Sequence, residues 1–451
     1  MFETIAKVIN VKELRGKIIA TALLLIVFRL GKFIPLPGID YAAVTKFLQD
    51  MSKGGDAAAM VFSMADMFSG GAMGSIFSLG IMPYITASII FQLLVAIVPS
   101  LSRISHEGAT GRKKITQYTR VSTVFLCIFQ AAMACSILLS KSGKEGVVSL
   151  VAEGVSVPEF YFYGIIGLTV GTVFLMWLGE QIDEFGIGNG ISLLIMAGII
   201  SRMPSAIFES MATFGKQGGM TTFKITFLVI LFVLMTLAVV MITLGTRRVS
   251  VQASKAMRGR KVYVNQRQFL PLRVNQAGVI PIIFAQAIMA VPALILGFID
   301  EKCQLSTPLT QFIAPGAFWY TVMYVLLIVF FCYFYTAITF NPNEMSDNLK
   351  QSGMYLPGIR PGQRTAEHLE KIMTRIALAG AVFLSFVAVV PQFVTQLMGV
   401  NYDISGMLGG TGLLIVVGVA LDVVQRVESY LLMRNYEGFG IGDGRVHGRH
   451  G

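Results

Sequence analysis

Residues Met67–Leu94 read MFSGGAMGSIFSLGIMPYITASIIFQLL, and they join two segments of different character. From Ile76 to Val98 the chain is apolar for the roughly 20 residues that a helix needs to cross a bilayer. The fourteen residues before it, 62–75, would reach only about 20 Å as a helix, short of a hydrocarbon core about 30 Å thick. Gly70, Gly71 and Gly74 weaken that helix further, by about 1 kcal/mol each relative to alanine. Lipid cannot satisfy the peptide groups of irregular backbone, so such a piece must be surrounded by protein or by a water-filled cavity. It folds back into a cavity, or it lies on the outer surface as an interfacial helix; physics alone leaves both open.

The rest of the chain has the same solvent in mind. Of 451 residues, 54% are hydrophobic and 14% charged, against about 25% charged in a soluble domain. Ten apolar stretches are expected to span: Ile18–Ile34, Ile76–Val98, Val121–Leu139, Phe160–Leu178, Ile187–Met203, Ile225–Leu244, Ala277–Ile299, Phe318–Phe340, Ile372–Val390 and Met407–Val424. The first, fifth and tenth are the weakest: the first holds Arg29 and Lys32, the fifth is short and flanked by glycine, and the tenth ends in Asp422. The expected fold class is all-α, a polytopic membrane protein of ten transmembrane helices, and an even count puts both termini on one side. Residues 1–17 space Phe2, Ile5, Ile9 and Val11 on one helical face with no small-residue cleavage site after them, which predicts an interfacial amphipathic helix and not a signal peptide. Cys127, Cys135, Cys303 and Cys332 have no metal-ligand spacing and read as small buried hydrophobes. No metal, cofactor or catalytic residue is expected.

Orientation follows from where Lys and Arg collect, because basic short loops stay in the cytoplasm. The loop after span two holds Arg103, Arg112, Lys113, Lys114 and Arg120; the loop after span six holds eight basic residues and no acid. The loop after span eight carries Lys350, Arg360, Arg364 and Lys371, while the loops after spans seven and nine are nearly free of cations. Both termini are therefore expected in the cytoplasm. The acidic loop after span four, with Glu180, Asp183 and Glu184, dissents, but acids contribute little to this rule. Within the loop after span six, GRKVYVNQRQFLPL alternates polar and apolar residues around turn formers, predicting a hairpin-like projection. A basic projection suits a polyanionic partner, RNA or an acidic protein surface.

Several spans repeat one feature. Ile81 and Ile85 share a helix face with Pro83 between them, Ile191 and Ile195 share another, Ile283 stands beside Pro281, and Ile415 follows a glycine cluster. Such stripes also arise from lipid contact or ordinary core packing. Gln92, Gln130 and Gln286 place amides inside spans two, three and seven, where they need partners. Three separate interhelical hydrogen bonds would serve, and so would one polar seam.

Five motifs now occur in order: LGIMPYITASII (79–90), GIGNGIS (186–192), VNQAGVIPIIFAQ (274–286), YLPGIRPG (355–362) and GGTGLLIVV (409–417). Together they resemble the SecY family, the channel subunits of the bacterial protein translocase, over essentially the whole chain from Leu14 to about Tyr436. The resemblance implies a clamshell of two pseudo-symmetric inverted halves around an hourglass pore. These would be residues 18–205, with spans one to five, and 206–433, with spans six to ten, loops 246–275 and 341–371, and a cytoplasmic tail at 434–451. It implies a pore ring of Ile81, Ile85, Ile191, Ile195, Ile283 and Ile415, apolar side chains that resist ion leakage by dewetting. It implies a plug at about 63–75, with Ser63, Met67, Phe68, Gly70, Gly71, Gly74 and Ser75. It implies a lateral gate between spans two and three on one side and seven and eight on the other, with Pro83, Ser88, Gln92, Gln130, Pro281 and Gln286, the prolines easing flexure. Arg258, Arg260, Lys261 and Arg360 match docking positions for a ribosome or the motor ATPase SecA. The other implied partners are the small membrane subunits SecE and SecG, secretory and membrane-protein precursors, and the lipid bilayer of the inner membrane. The function so implied is passage of unfolded polypeptides across the membrane, with lateral release of signal sequences.

Two other classes fit less well. A solute transporter needs ionisable or coordinating groups at the midplane, and the middles of nearly all ten spans lack acids. An enzyme would need a phosphate loop, a metal cluster or a paired nucleophile and base, and the four histidines form no such constellation.

Overall fold

The computed structural model describes residues 11–40, 43–44, 74–141, 151, 155–212, 221–253, 257–258, 261–262, 268–276, 278–289, 317–398 and 411–440. Among them, helices stand at all ten expected positions: α1 (Lys12–Gly31), α2 (Met82–Ile97), α4 (Ala109–Lys141), α5 (Val157–Phe185), α6 (Gly190–Ala212), α7 (Thr222–Leu244), α8 (Ile280–Met289), α9 (Phe318–Thr339), α11 (Gln363–Met398) and α12 (Thr411–Gly440). Two short helices are added, α3 (Pro99–His106) and α10 (Pro342–Gln351). Among the described residues five helices are long and apolar enough to cross a membrane unaided, and α2 and α3, bent by 99° at their junction, pass that test only when taken together. Pro99 explains the bend: the residue before a proline is pushed to extended backbone, and Val98 sits at φ −94°, ψ 112°. Of the amphipathic segment expected at 1–17, residues 1–10 lie outside the described residues, and Lys12–Lys17 are the first turns of α1, continuous with the span.

Close packing between helices rests on small residues, as expected where lipid supplies no hydrophobic drive for association. On α5, Gly164 lies against the Cys135 sulfur of α4, Gly171 lies on the backbone carbonyl of Ile76, and Gly179 meets Gly190 of α6. A methyl group at Gly190 would collide with the Gly179 carbonyl, so the turn GIGNG can reverse the chain tightly between α5 and α6. Gly188 takes φ +99°, Asn189 accepts from the Ser192 N–H at 3.0 Å as an N-cap, and Asp183 Oδ1 accepts from the Gly190 N–H at 2.7 Å.

The expected span Ile76–Val98 is helical only from Met82. The residues before it form turns, with Gly80 at φ +57°. Pro83 therefore sits in the first turn of α2 and Pro281 is the second residue of α8. In a first turn the proline has no intrahelical N–H bond to break, so neither kinks its helix. This corrects the expectation that these prolines loosen helix interiors; they start helices.

The all-α expectation holds for the membrane body and gains one exception. Strands β1 (Thr246–Ala253), β2 (Met257–Arg258), β3 (Lys261–Val262), β4 (Gln268–Arg273) and β5 (Met354–Tyr355) lie in the two loops after α7 and α9. The main sheet has the order β4-β1-β5, antiparallel, with Thr246 opposite Arg273, Val251 opposite Gln268 and Gln252 opposite Tyr355. It closes over a second core of Val251, Leu272, Phe340, Leu349, Leu356, Leu369, Ile372, Met373 and Ile376. Loops read separately in the sequence fold as one unit on the extended start of α11.

Candidate functional site

The largest buried cluster lies inside the membrane body. Ile81 and Ile85 enter it from the turn before α2 and from the first turn of that helix, whose Ile85 N–H donates to the Ile81 carbonyl at 3.1 Å. Ile195 enters from α6, Ile283 from α8 and Ile415 from α12, and Ile191 packs against the cluster from the first turn of α6, half-buried. All six isoleucines singled out in the sequence thus belong to or pack on this one cluster, which they enter from four helices and one turn and share with buried residues of α1, α5, α7, α9 and α11. Ile415 is fully buried and Ile283 is 6% exposed. Phe284, Met289, Leu413 and Leu414 join them without having been singled out. Their sequence signal, apolar residues in an apolar helix, is no different from that of a lipid-facing position.

One buried polar pair crosses this region. Gln286 of α8 is 3% exposed, and its Nε2 donates to the Thr411 Oγ1 of α12 at 2.6 Å. Its Oε1 has no partner among the described residues. Gln92 is exposed and bonds Ser88 within its own helix at 3.3 Å, and Gln130 is half-buried on α4. The three amides therefore form no common seam among the described residues.

Of the segment 63–75, Ser63, Met67, Phe68, Gly70 and Gly71 lie outside the described residues. Its last two residues are stitched down. The Gly74 carbonyl accepts from the Leu36 N–H at 3.0 Å, Ser75 bridges Pro35, and the Ile76 N–H donates to the Ile34 carbonyl at 3.2 Å. Gly74 can do this at φ +80°, a conformation other residues rarely adopt. Ser75 is fully buried, its Oγ accepting from the Phe77 N–H. Phe77 is stacked between Phe28 and Phe174, at 6.5 and 5.9 Å between centroids, over Gly31.

Among the basic positions, Arg258 pairs with Lys261 in the two-residue hairpin β2–β3, while Arg260 lies outside the described residues. Arg360 is exposed on a fixed turn: its carbonyl accepts from the Thr365 Oγ1 at 3.0 Å, the Gly362 carbonyl accepts from the Ser346 Oγ at 2.7 Å, and Gly358 and Gly362 take φ +82° and +108°. At the other end of the second core, β1 and β4 carry exposed Phe269, Arg247, Arg248 and Arg273.

Comparison with known proteins bears on this arrangement. The SecY family model matches residues 75–424. The chain is 43% identical over 429 residues to the protein translocase subunit SecY of Escherichia coli strain K12, covering 94% of this chain and 93% of that one. It is 40% identical over 451 residues to the subunit of the same name from Thermotoga maritima, covering 100% of both. Among solved structures, a protein-conducting channel superposes with a TM-score of 0.64 at 18% identity, over 96% of this chain and 95% of that chain. The channel of the canine ribosome-channel complex from the endoplasmic reticulum gives 0.59 at 17%, over 96% and 95%. The fold is shared with these channels, and by sequence the chain belongs to the SecY family.

Proposed function

We propose that the protein is the protein-conducting channel of a cytoplasmic-membrane translocase, both of its termini facing the cytoplasm, and that the six isoleucines form its constriction. The convergence of Ile81, Ile85, Ile191, Ile195, Ile283 and Ile415 on one buried cluster carries the reading. Aliphatic side chains fit around an extended polypeptide without recognising its sequence, and a closed apolar ring keeps water and ions out. The relatives' name, protein translocase subunit, and the channel fold support it.

The segment before Gly74 acts as the plug in this reading. Since Gly74–Ile76 are held by 34–36, its hinge lies at or before Gly74. Signal sequences leave sideways between α2 and α4 on one half and α8 and α9 on the other, past Pro83, Ser88, Gln92, Gln130, Pro281 and Gln286. The second core, with Arg258, Arg260, Lys261 and Arg360, docks the ribosome, as the ribosome-bound structural relatives suggest, or the motor SecA. SecE and SecG complete the membrane complex.

The test is reconstitution. Purified chain with SecE, SecG and SecA in liposomes should protect a secretory precursor from added protease only when ATP is supplied. Protease sensitivity of the precursor with and without ATP would reject the channel reading.

A further inference from the structure

The acids of GEQIDEFGIGNG (179–190) run against the charge rule that orients the chain, and two of the three have partners inside the protein. Glu180 pairs with Arg120 of α4 at 2.7 Å, and Asp183 Oδ1 accepts from the Gly190 N–H at 2.7 Å. We infer that Asp183, with Thr21 of α1, is a positioning residue for the seal: together they fasten the turn that sets where Ile191 and Ile195 stand in the ring. That role rests on reading the six isoleucines as the constriction.

The turn between α5 and α6 is poorly able to hold itself. Gly186, Gly188 and Gly190 alternate along it, and Gly188 takes φ +99°, so its backbone has wide conformational freedom. Two side chains from neighbouring helices remove that freedom. Thr21 Oγ1 donates to the Lys17 carbonyl at 2.9 Å in its own helix and accepts from the Ile187 N–H at 3.1 Å. Asp183 reaches across the turn to Gly190, the first residue of α6, whose N–H has no intrahelical acceptor. Gly190 is buried, so water does not replace the carboxylate there.

Position along α5 is what the carboxylate fixes. Gly179 and Asp183 are about one turn apart on one face of α5. Gly190 lies on the Gly179 carbonyl and the Ile191 side chain lies over Gly179, which sets the distance between the two helices but leaves α6 free to slide along that face. Asp183 stops the slide. A slip of one residue would move Ile191 and Ile195 by about 1.5 Å and turn them by about 100°. An apolar constriction excludes ions only while its side chains close on one another. Ile283 and Ile415 are fastened differently, since Gln286 of α8 donates to Thr411, the first residue of α12, at 2.6 Å.

Resting ion conductance of the full chain with SecE and SecG in a planar bilayer tests this, with thermal unfolding run on every variant. D183A and T21V should each raise the conductance about tenfold, the population shift expected when a hydrogen bond of this kind is lost. T21V keeps the side-chain shape and carries the test if D183A fails to fold. D183N, whose amide oxygen still accepts from Gly190, should restore the seal. R120Q breaks the neighbouring ion pair of α5 without touching the turn and should stay tight, whatever its Tm. I195S opens the ring directly and should leak. Arg426 of α12 acts on the Asp183 charge, so a D183N channel as leaky as D183A would make that charge the cause and overturn the inference. Equal leakage in R120Q, or tight D183A and T21V channels beside a leaking I195S, would overturn it as well. A tight I195S channel would remove the constriction reading and this inference with it.

Discussion

Gly190 has no room for a single added methyl group. Its Cα faces the Gly179 carbonyl, and backbone, unlike the tip of a side chain, cannot rotate away. Gly190→Ala should destabilise the purified protein by about 1–3 kcal/mol, the usual cost of overpacking, seen as a lower Tm. Gly16, on the exposed early part of α1, has nothing within 4 Å of such a methyl group, and Gly16→Ala should be neutral or raise Tm slightly because alanine favours helix. If the two substitutions shift Tm equally, close contact is not what Gly190 provides. Gln286 offers a second test at this scale. Thr411→Val removes the partner of its buried amide donor and should cost about 1–3 kcal/mol, whereas adding Gln286→Leu should recover part of that loss by removing the stranded amide altogether. Additive losses in the double-mutant cycle would show that the 2.6 Å contact is not energetically coupled.

At the scale of elements, the ten apolar helices were legible in the sequence because length and hydropathy are local properties. Among the described residues α1, α6, α8 and α12 do not qualify as spans unaided and α2 does so only with α3; three of these, α1 with Arg29, α6 with its apolar part ending at Ser205 and α12 with Asp422 and Arg426, are the stretches that read as weakest, whereas α2 and α8 do not read as weak. What was not legible depends on partners far away in sequence. The alternation in 259–272 announced a hairpin, but nothing local announced that β1 would also take β5 as a neighbour or that Leu369 and Ile372 of α11 would sit beneath both loops. Pro83 and Pro281 misled for a related reason, since a proline reads as a kink or as a helix start according to where the preceding turn begins. Leu369 is fully buried in the second core, so Leu369→Ala should cost about 2–5 kcal/mol locally. Amide hydrogen exchange should then quicken in 246–253, 268–273 and 342–356 together, while α5 and α9 stay protected. Faster exchange in only one of the two loops would mean that they do not fold as a unit.

For the whole molecule, the same contrast separates the ring from the plug. The proposed ring residues stand out as isoleucines at helical spacing, but a stripe on one helix does not say what faces it; only the shared cluster that α2, α6, α8 and α12 enter, with residues of the other helices, puts the six in one core. The proposed plug stands out as a poor helix, and its boundary does not, because Gly74 and Ser75 are fixed by 34–36, some forty residues earlier in the chain. That boundary separates two deletions that the sequence alone treats alike. Removing 63–73 takes away the stopper and leaves the stitch at Pro35 and Ser75, along with Phe77 in its stack between Phe28 and Phe174. The resting channel in a planar bilayer should then conduct ions more readily while its Tm stays near that of the intact protein. Removing 63–75 also strips the Leu36 N–H of its acceptor and pulls on the Ile76 pairing, so Tm should fall as well, by the equivalent of about 1–3 kcal/mol for each buried backbone group left unpaired. Unchanged resting conductance in the shorter deletion would count against the plug, and equal Tm values for the two deletions would count against a fixed hinge at Gly74.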